Sequence, residues 1–152
     1  MMGVVVLGAL ARVRVTYVEE KWMATESDPE RSEAVEVALS YYQAWTEHDF
    51  DRAMSFIAED IVCDAPPGRI EGAEAFRAFM GPFSQIVTRS ELIAAFGDDD
   101  SALVMYGTDT LPVQNAPGAE YVSVTDRKIG YMRIIFDSAP FEAARRAASE
   151  AR

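Results

Sequence analysis

The feature that most constrains this chain is the order of its periodicities: helical spacing dominates as far as Pro82, and strand-like runs dominate after it. Ile86 to Phe96, Ala102 to Thr108, Tyr121 to Thr125 and Ile129 to Phe136 are rich in β-branched and aromatic residues. Between them stand Asp98-Asp99-Asp100, Asn115-Ala116-Pro117-Gly118 and Asp126-Arg127, which are turn-forming sequences. Long strands joined by short turns make an antiparallel meander. Helices first and long strands afterwards is the α+β pattern, in which a curved, mainly antiparallel sheet wraps on the N-terminal helices and leaves a cone with one open mouth.

The helical half reads as follows. In Asp28-Pro29-Glu30 an N-cap candidate precedes proline at the first helical position, and the helix it opens runs to about Glu47. Ala34, Ala38, Tyr41 and Trp45 form one stripe of it, Val35, Leu39 and Tyr42 the adjoining one, and both are expected to face inward. Asp49 or Asp51 caps a short helix that runs through Phe56 and Ile57. Ile61 to Ala65 is a strand stopped by Pro66-Pro67-Gly68, and Arg69-Ile70-Glu71 a brief second one. Gly72 opens a third helix bearing Ala73, Phe76, Phe79 and Met80, which Gly81-Pro82 is expected to end. Ser138 is the expected cap of a last helix, from Pro140 to about Ala148.

A length of 152 residues suits one hydrophobic core, assigned here to residues 25–152, with residues 1–24 as an N-terminal extension. The apolar run Gly3 to Leu10 falls far short of the ~20 residues that span a bilayer. Arg12 and Arg14 follow it rather than precede it, unlike the basic region of a signal peptide. A net charge of -11 repels a phosphate backbone or an anionic membrane, so neither nucleic acid nor membrane is an expected partner. One cysteine, Cys63, cannot close an intrachain disulfide, which fits a reducing cytoplasm. With His48 the sole histidine, no metal is expected, and Asp98-Asp99-Asp100 lacks the spaced ligands of a calcium loop.

Four segments carry a resemblance. They are Tyr41-Tyr42-Gln43-Ala44-Trp45-Thr46-Glu47-His48-Asp49-Phe50-Asp51, Phe56-Ile57-Ala58-Glu59-Asp60-Ile61, Gly72-Ala73-Glu74-Ala75-Phe76, and Lys128-Ile129 with Phe136-Asp137. In this order and spacing the chain resembles the nuclear transport factor 2-like superfamily over about residues 30–137, and within it the SnoaL-like polyketide cyclases and ketosteroid isomerase-like proteins. The resemblance implies the cone-shaped fold, a homodimer paired through the outer sheet face where Arg133 lies, and chemistry without a cofactor.

It also implies site residues. In ketosteroid isomerases a tyrosine on the first helix and a protonated aspartic acid form an oxyanion hole, while a separate aspartate moves the proton. Alignment through Asp49 puts that tyrosine at Tyr41, and alignment through Lys128 and Met132-Arg133 puts the acid at Glu120. The base position holds Ala65, followed by Pro66; Asp64 is one residue away and on the opposite face of a regular strand. An Arg-x-Asp motif, used by limonene-type epoxide hydrolases in this superfamily, is missing.

Each candidate has a plainer reading: Tyr41 as a core aromatic, Glu120 as a solvated strand-end charge, Asp64 as a turn acceptor. His48 belongs to an exposed loop, and Cys63 is a small buried apolar side chain without a nearby base. Trp45, Cys63, Phe76, Phe79, Met80, Phe83, Met132 and Ile134 are suited to line a pocket for a small hydrophobic molecule, or to fill a solid core. Two functions follow: an acid–base isomerase, cyclase or dehydratase using Tyr41, Glu120 and Asp64, or a non-catalytic ligand-binding or dimeric assembly module.

Overall fold

A computed structural model describes residues 32–152. The expected cap at Asp28 and the extension over residues 1–24 lie outside the described residues. The elements are α1 (Glu33–Thr46), α2 (Phe50–Met54), β1 (Ile57–Ala65), β2 (Gly68–Glu71), α3 (Ala73–Ile86), β3 (Val87–Gly97), β4 (Ser101–Thr110), β5 (Ala116–Thr125), β6 (Lys128–Phe136) and α4 (Ala139–Glu150). The α+β order is therefore the one the periodicities imply.

The six strands form one curved, unclosed sheet in the order β2-β1-β6-β5-β4-β3. Every neighbouring pair is antiparallel except β1 and β6, which run parallel. β3 to β6 are the expected meander. α1 packs across β3, β4, β5 and β6. Both of its apolar stripes are buried, with Ala34, Tyr41 and Trp45 fully so. On the sheet, alternation does the sorting: Val104, Tyr106 and Thr108 of β4 are buried while Leu103 and Met105 between them are exposed. Asp49 caps α2, its carboxylate accepting the Arg52 N–H at 3.1 Å.

Several boundaries differ from expectation, each for a local reason. β1 begins at Ile57 rather than Ile61, with a register irregularity between Ile57 and Val62 that absorbs the extra length. α3 runs on through Pro82 to Ile86. Proline costs a helix one hydrogen bond, but the turn beyond it is pinned from outside. The Ser84 hydroxyl donates to the Trp45 carbonyl at 2.7 Å, and Phe83 packs on Trp45 with ring centroids 5.9 Å apart.

β5 starts at Ala116, so Ala116-Pro117-Gly118 belongs to a strand instead of a turn. The turn is displaced to residues 111–115, where the Thr110 hydroxyl donates to the Val113 carbonyl, the Asp109 carboxylate accepts the Asn115 N–H, and Asn115 takes a positive φ of 54°. At α4, Ser138 stands in the cap position without a side-chain cap; Asp137 accepts the Ala139 N–H instead, at 3.0 Å.

Candidate functional site

The register of β4 on β5 sets Tyr106 opposite Gly118 and Val104 opposite Glu120. Tyr106 and Glu120 are thus diagonal neighbours on the inner face. Gly118, having no side chain, leaves the space in which the Tyr106 ring lies: a Cβ there would sit 2.7 Å from its Cε2. The Tyr106 hydroxyl donates to Glu120 Oε1 at 2.9 Å. The ring is flanked by Trp45 and Tyr42, with centroids at 5.3 and 5.4 Å, and Tyr42 shares a short hydrogen bond with Ser90.

Glu120 is 1% exposed. Burial pushes its carboxyl up to about 7, against the opposing pull of the Tyr106 hydrogen bond. Burial also holds the Tyr41 and Tyr106 phenols well above their usual range, with the Glu120 charge adding to it. The Cys63 thiol is pushed up to about 12, first by burial and then by Glu120, which leaves it a poor nucleophile.

Beside this pair opens a cavity of about 600 Å³, walled by β4, β5 and β6, by α3, by the Pro66-Pro67 turn and by α4. Tyr106, Thr108 and Gly118 reach it from the meander, and Phe136 and Phe141 from the last strand and helix. Of the residues expected on its wall, Phe79, Met80, Phe83 and Ile134 line it. Trp45, Cys63, Phe76 and Met132 are fully buried in the core behind it.

The three residues expected to do chemistry are not brought together. Glu120 lies mid-strand and buried rather than at a solvated strand end. Tyr41 is fully buried, near enough for Glu120 to raise its pKa, but it is not part of the cavity wall. Its hydroxyl has no hydrogen-bond partner among the described residues, and the same is true of the Trp45 indole N–H.

Asp64 faces the other side of the sheet. It pairs with Arg69 at 3.0 Å and Arg133 at 3.6 Å and accepts the Tyr131 hydroxyl at 2.9 Å; the Arg69 bond leads in holding its carboxyl below the usual range. Strand alternation explains it: Cys63 is beside Met132 on the inner face, and Asp64 beside Arg133 on the outer one. His48 is an exposed loop residue with a φ of 63°.

Tyr106 is the functional candidate that sequence reasoning passed over. The signal was present in the alternation Val104, Tyr106, Thr108, but its link to Glu120 depends on a strand register that spacing does not reveal. Among the described residues no cluster of three or more His, Cys, Asp or Glu could hold a metal ion, and no helix is long and apolar enough to cross a membrane.

Comparison with known proteins fits this architecture. A protein from Kribbella flavida DSM 17836 of known crystal structure is 54% identical, with a TM-score of 0.77 over 79% of this chain and 99% of its own. A candidate polyketide cyclase from Sinorhizobium meliloti, 20% identical, superposes with a TM-score of 0.58 over 66% of this chain and 94% of its own. A candidate ketosteroid isomerase from Kribbella flavida DSM 17836, 17% identical, gives 0.59 over 70% and 79%. These two share the fold. No curated protein matches the chain. The SnoaL-like domain profile matches residues 38–132, more than half of the sequence, and the chain belongs to the SnoaL-like family.

Proposed function

We propose that this protein binds a small, mostly apolar molecule bearing one oxygen function, and that Tyr106 and Glu120 perform cofactor-independent acid–base chemistry on it, of isomerase, cyclase or dehydratase type. One observation carries the reading: a tyrosine on the wall of an apolar cavity is hydrogen-bonded to a fully buried carboxyl group. A carboxyl group that titrates near 7 both gives and takes a proton at neutral pH, where general acid–base catalysis is most effective. The candidate cyclase and isomerase among proteins of the same fold support the reaction class.

Thermal-shift screening of small enones and hydroxylated aromatics, followed by turnover assays on the binders, tests it. Wild type should bind and turn over at least one such compound, and Tyr106→Phe or Glu120→Gln should lower turnover by roughly 10²-fold or more while the protein remains folded. Equal turnover by the variants would sink the acid–base role. A second reading, a binding module without turnover, is favoured by Ala65 at the expected base position and by the outward, ion-paired Asp64. Binding by wild type with no turnover of any binder would select it. In either case a second copy packs against the outer sheet face, where Phe96, Leu103, Met105, Tyr121 and Ile135 are exposed.

A further inference from the structure

Glu120 does not line the cavity, whereas Tyr106 does. Between these two, contact with a bound molecule falls to Tyr106, and its link to the buried carboxyl group is its phenolic oxygen. Gly118 seats that oxygen: a Cβ at this position would meet Cε2, Cζ and the hydroxyl of Tyr106 at 2.7, 3.0 and 3.1 Å. With Tyr42 and Trp45 packed on the ring, the ring is held in place and its hydroxyl hydrogen retains freedom to turn.

A phenol has one hydrogen to donate and two lone pairs. An ionised carboxylate can only accept, so the Tyr106 hydrogen is then committed to Glu120 and the phenol presents lone pairs to the cavity. A protonated carboxyl group can donate to the phenol oxygen, which releases the Tyr106 hydrogen toward the cavity. We propose that the Tyr106–Glu120 pair is a reversible hydrogen-bond relay that selects ligands by polarity, accepting a carbonyl when Glu120 is protonated and a hydroxyl donor when it is ionised. The proposal rests on the cavity being a ligand site, as argued above. The switch forms and breaks no covalent bond in the ligand; one proton passes between Glu120 and solvent.

The surroundings make Glu120 the group that switches. The titratable side chains coupled to it are Tyr106 from β4, Tyr41 and Tyr42 from α1, and Cys63 from β1. All four are held above their ordinary values, so they stay neutral while Glu120 titrates near 7. On the neighbouring strands Val104 and Ile134 stand opposite it, both apolar.

The test uses two probes of one skeleton, 1-tetralone as a pure acceptor and 1-tetralol, whose hydroxyl accepts from Tyr106 in one state and donates to it in the other. Between about pH 5.5 and about pH 8.5 the affinity of wild type for 1-tetralone should fall about tenfold, the worth of one hydrogen bond, while that for 1-tetralol changes by less than about twofold. Glu120→Gln should bind 1-tetralone without pH dependence, and Tyr106→Phe should lose the distinction between the probes. A flat 1-tetralone profile in wild type, or an unchanged pH dependence in Glu120→Gln, overturns the relay.

Carbon NMR of the free protein decides independently of any ligand. The Tyr106 Cζ resonance should shift with the same midpoint as the Glu120 carboxyl group, and this shift should vanish in Glu120→Gln. Failure to co-titrate overturns the relay even where both probes bind. Co-titration with neither probe binding would keep the hydrogen-bond switch within the protein and overturn the selection of these ligands by it.

Discussion

A carboxyl group sealed among tyrosine rings changes what pH does to stability. Glu120 titrates at about 7 when folded, against an ordinary value of 4.5, so between these limits the native state holds a proton that the unfolded chain has released. Its contribution is fully present below the unfolded value and is lost as pH rises through the folded one. The loss is about 3 kcal/mol at roughly 1.4 kcal/mol per pKa step. Urea titrations should accordingly show wild type losing stability from about pH 5 to about pH 8 relative to Glu120→Gln, which keeps a neutral side chain there. Parallel curves would refute the assignment.

Gly118→Ala is expected to cost about 1–3 kcal/mol in the same assay, because its methyl group must push aside an aromatic ring held by two others. At this scale the sequence was partly legible. The helical stripe shows that Tyr41 is inward, and the family resemblance implies an acid at Glu120. Neither shows that Tyr106, and not Tyr41, stands at the cavity wall, because that depends on which β4 residue faces Gly118.

Among the elements, order and type were legible over most of the described residues; the errors are the start of β1, where Ile57 reads as helix and is strand, and two places where tertiary contacts overrule a breaker. Pro82 was expected to stop α3, yet Ser84 and Phe83 tie the following turn to Trp45. Pro117-Gly118 reads as a turn, yet β4 recruits both residues into β5. The resulting extension of the strand is what brings Gly118 beneath Tyr106.

α4 contrasts with these. It contributes Phe141, Ala144, Arg145 and Ala148 to the cavity wall, at helical spacing, but has no buried residue of its own. Its aromatic contacts run through Phe141, to Phe83 and Phe136, with centroids 6.4 and 5.9 Å apart. Its amides should exchange with deuterium well ahead of those of β4 and β5. Phe141→Ala should quicken that exchange further without shifting exchange in β5; equal protection of α4 and β5 in wild type would contradict this.

At the scale of the molecule, the helices and the cavity occupy one side of the sheet, and the other carries a broad apolar surface. Phe96, Leu103 and Tyr121 continue in register to Arg133 and Asp64, and next to them run Ala94, Met105, Ala119 and Ile135. Pairing through this face predicts a dimer in sedimentation experiments that Leu103→Lys reduces to a monomer. With a net charge of -11 on each copy, added salt should tighten the dimer. A wild-type monomer at all salt concentrations would exclude it. This surface was anticipated only through family resemblance, since exposed side chains carry no signal until the sheet shows which strands lie side by side.

The flanks of the described sheet bear on how that association can occur. One flank, β2, is four residues long; the other, β3, breaks register between Val87 and Arg89 and again between Leu92 and Ala94, with charged Arg89 and Glu91 between the breaks. A foreign strand laid along either would find too short a template or one whose hydrogen-bonding rows do not continue. The described edges thereby disfavour edge-to-edge zippering into fibres, and the face-to-face pairing proposed above would leave those edges unused.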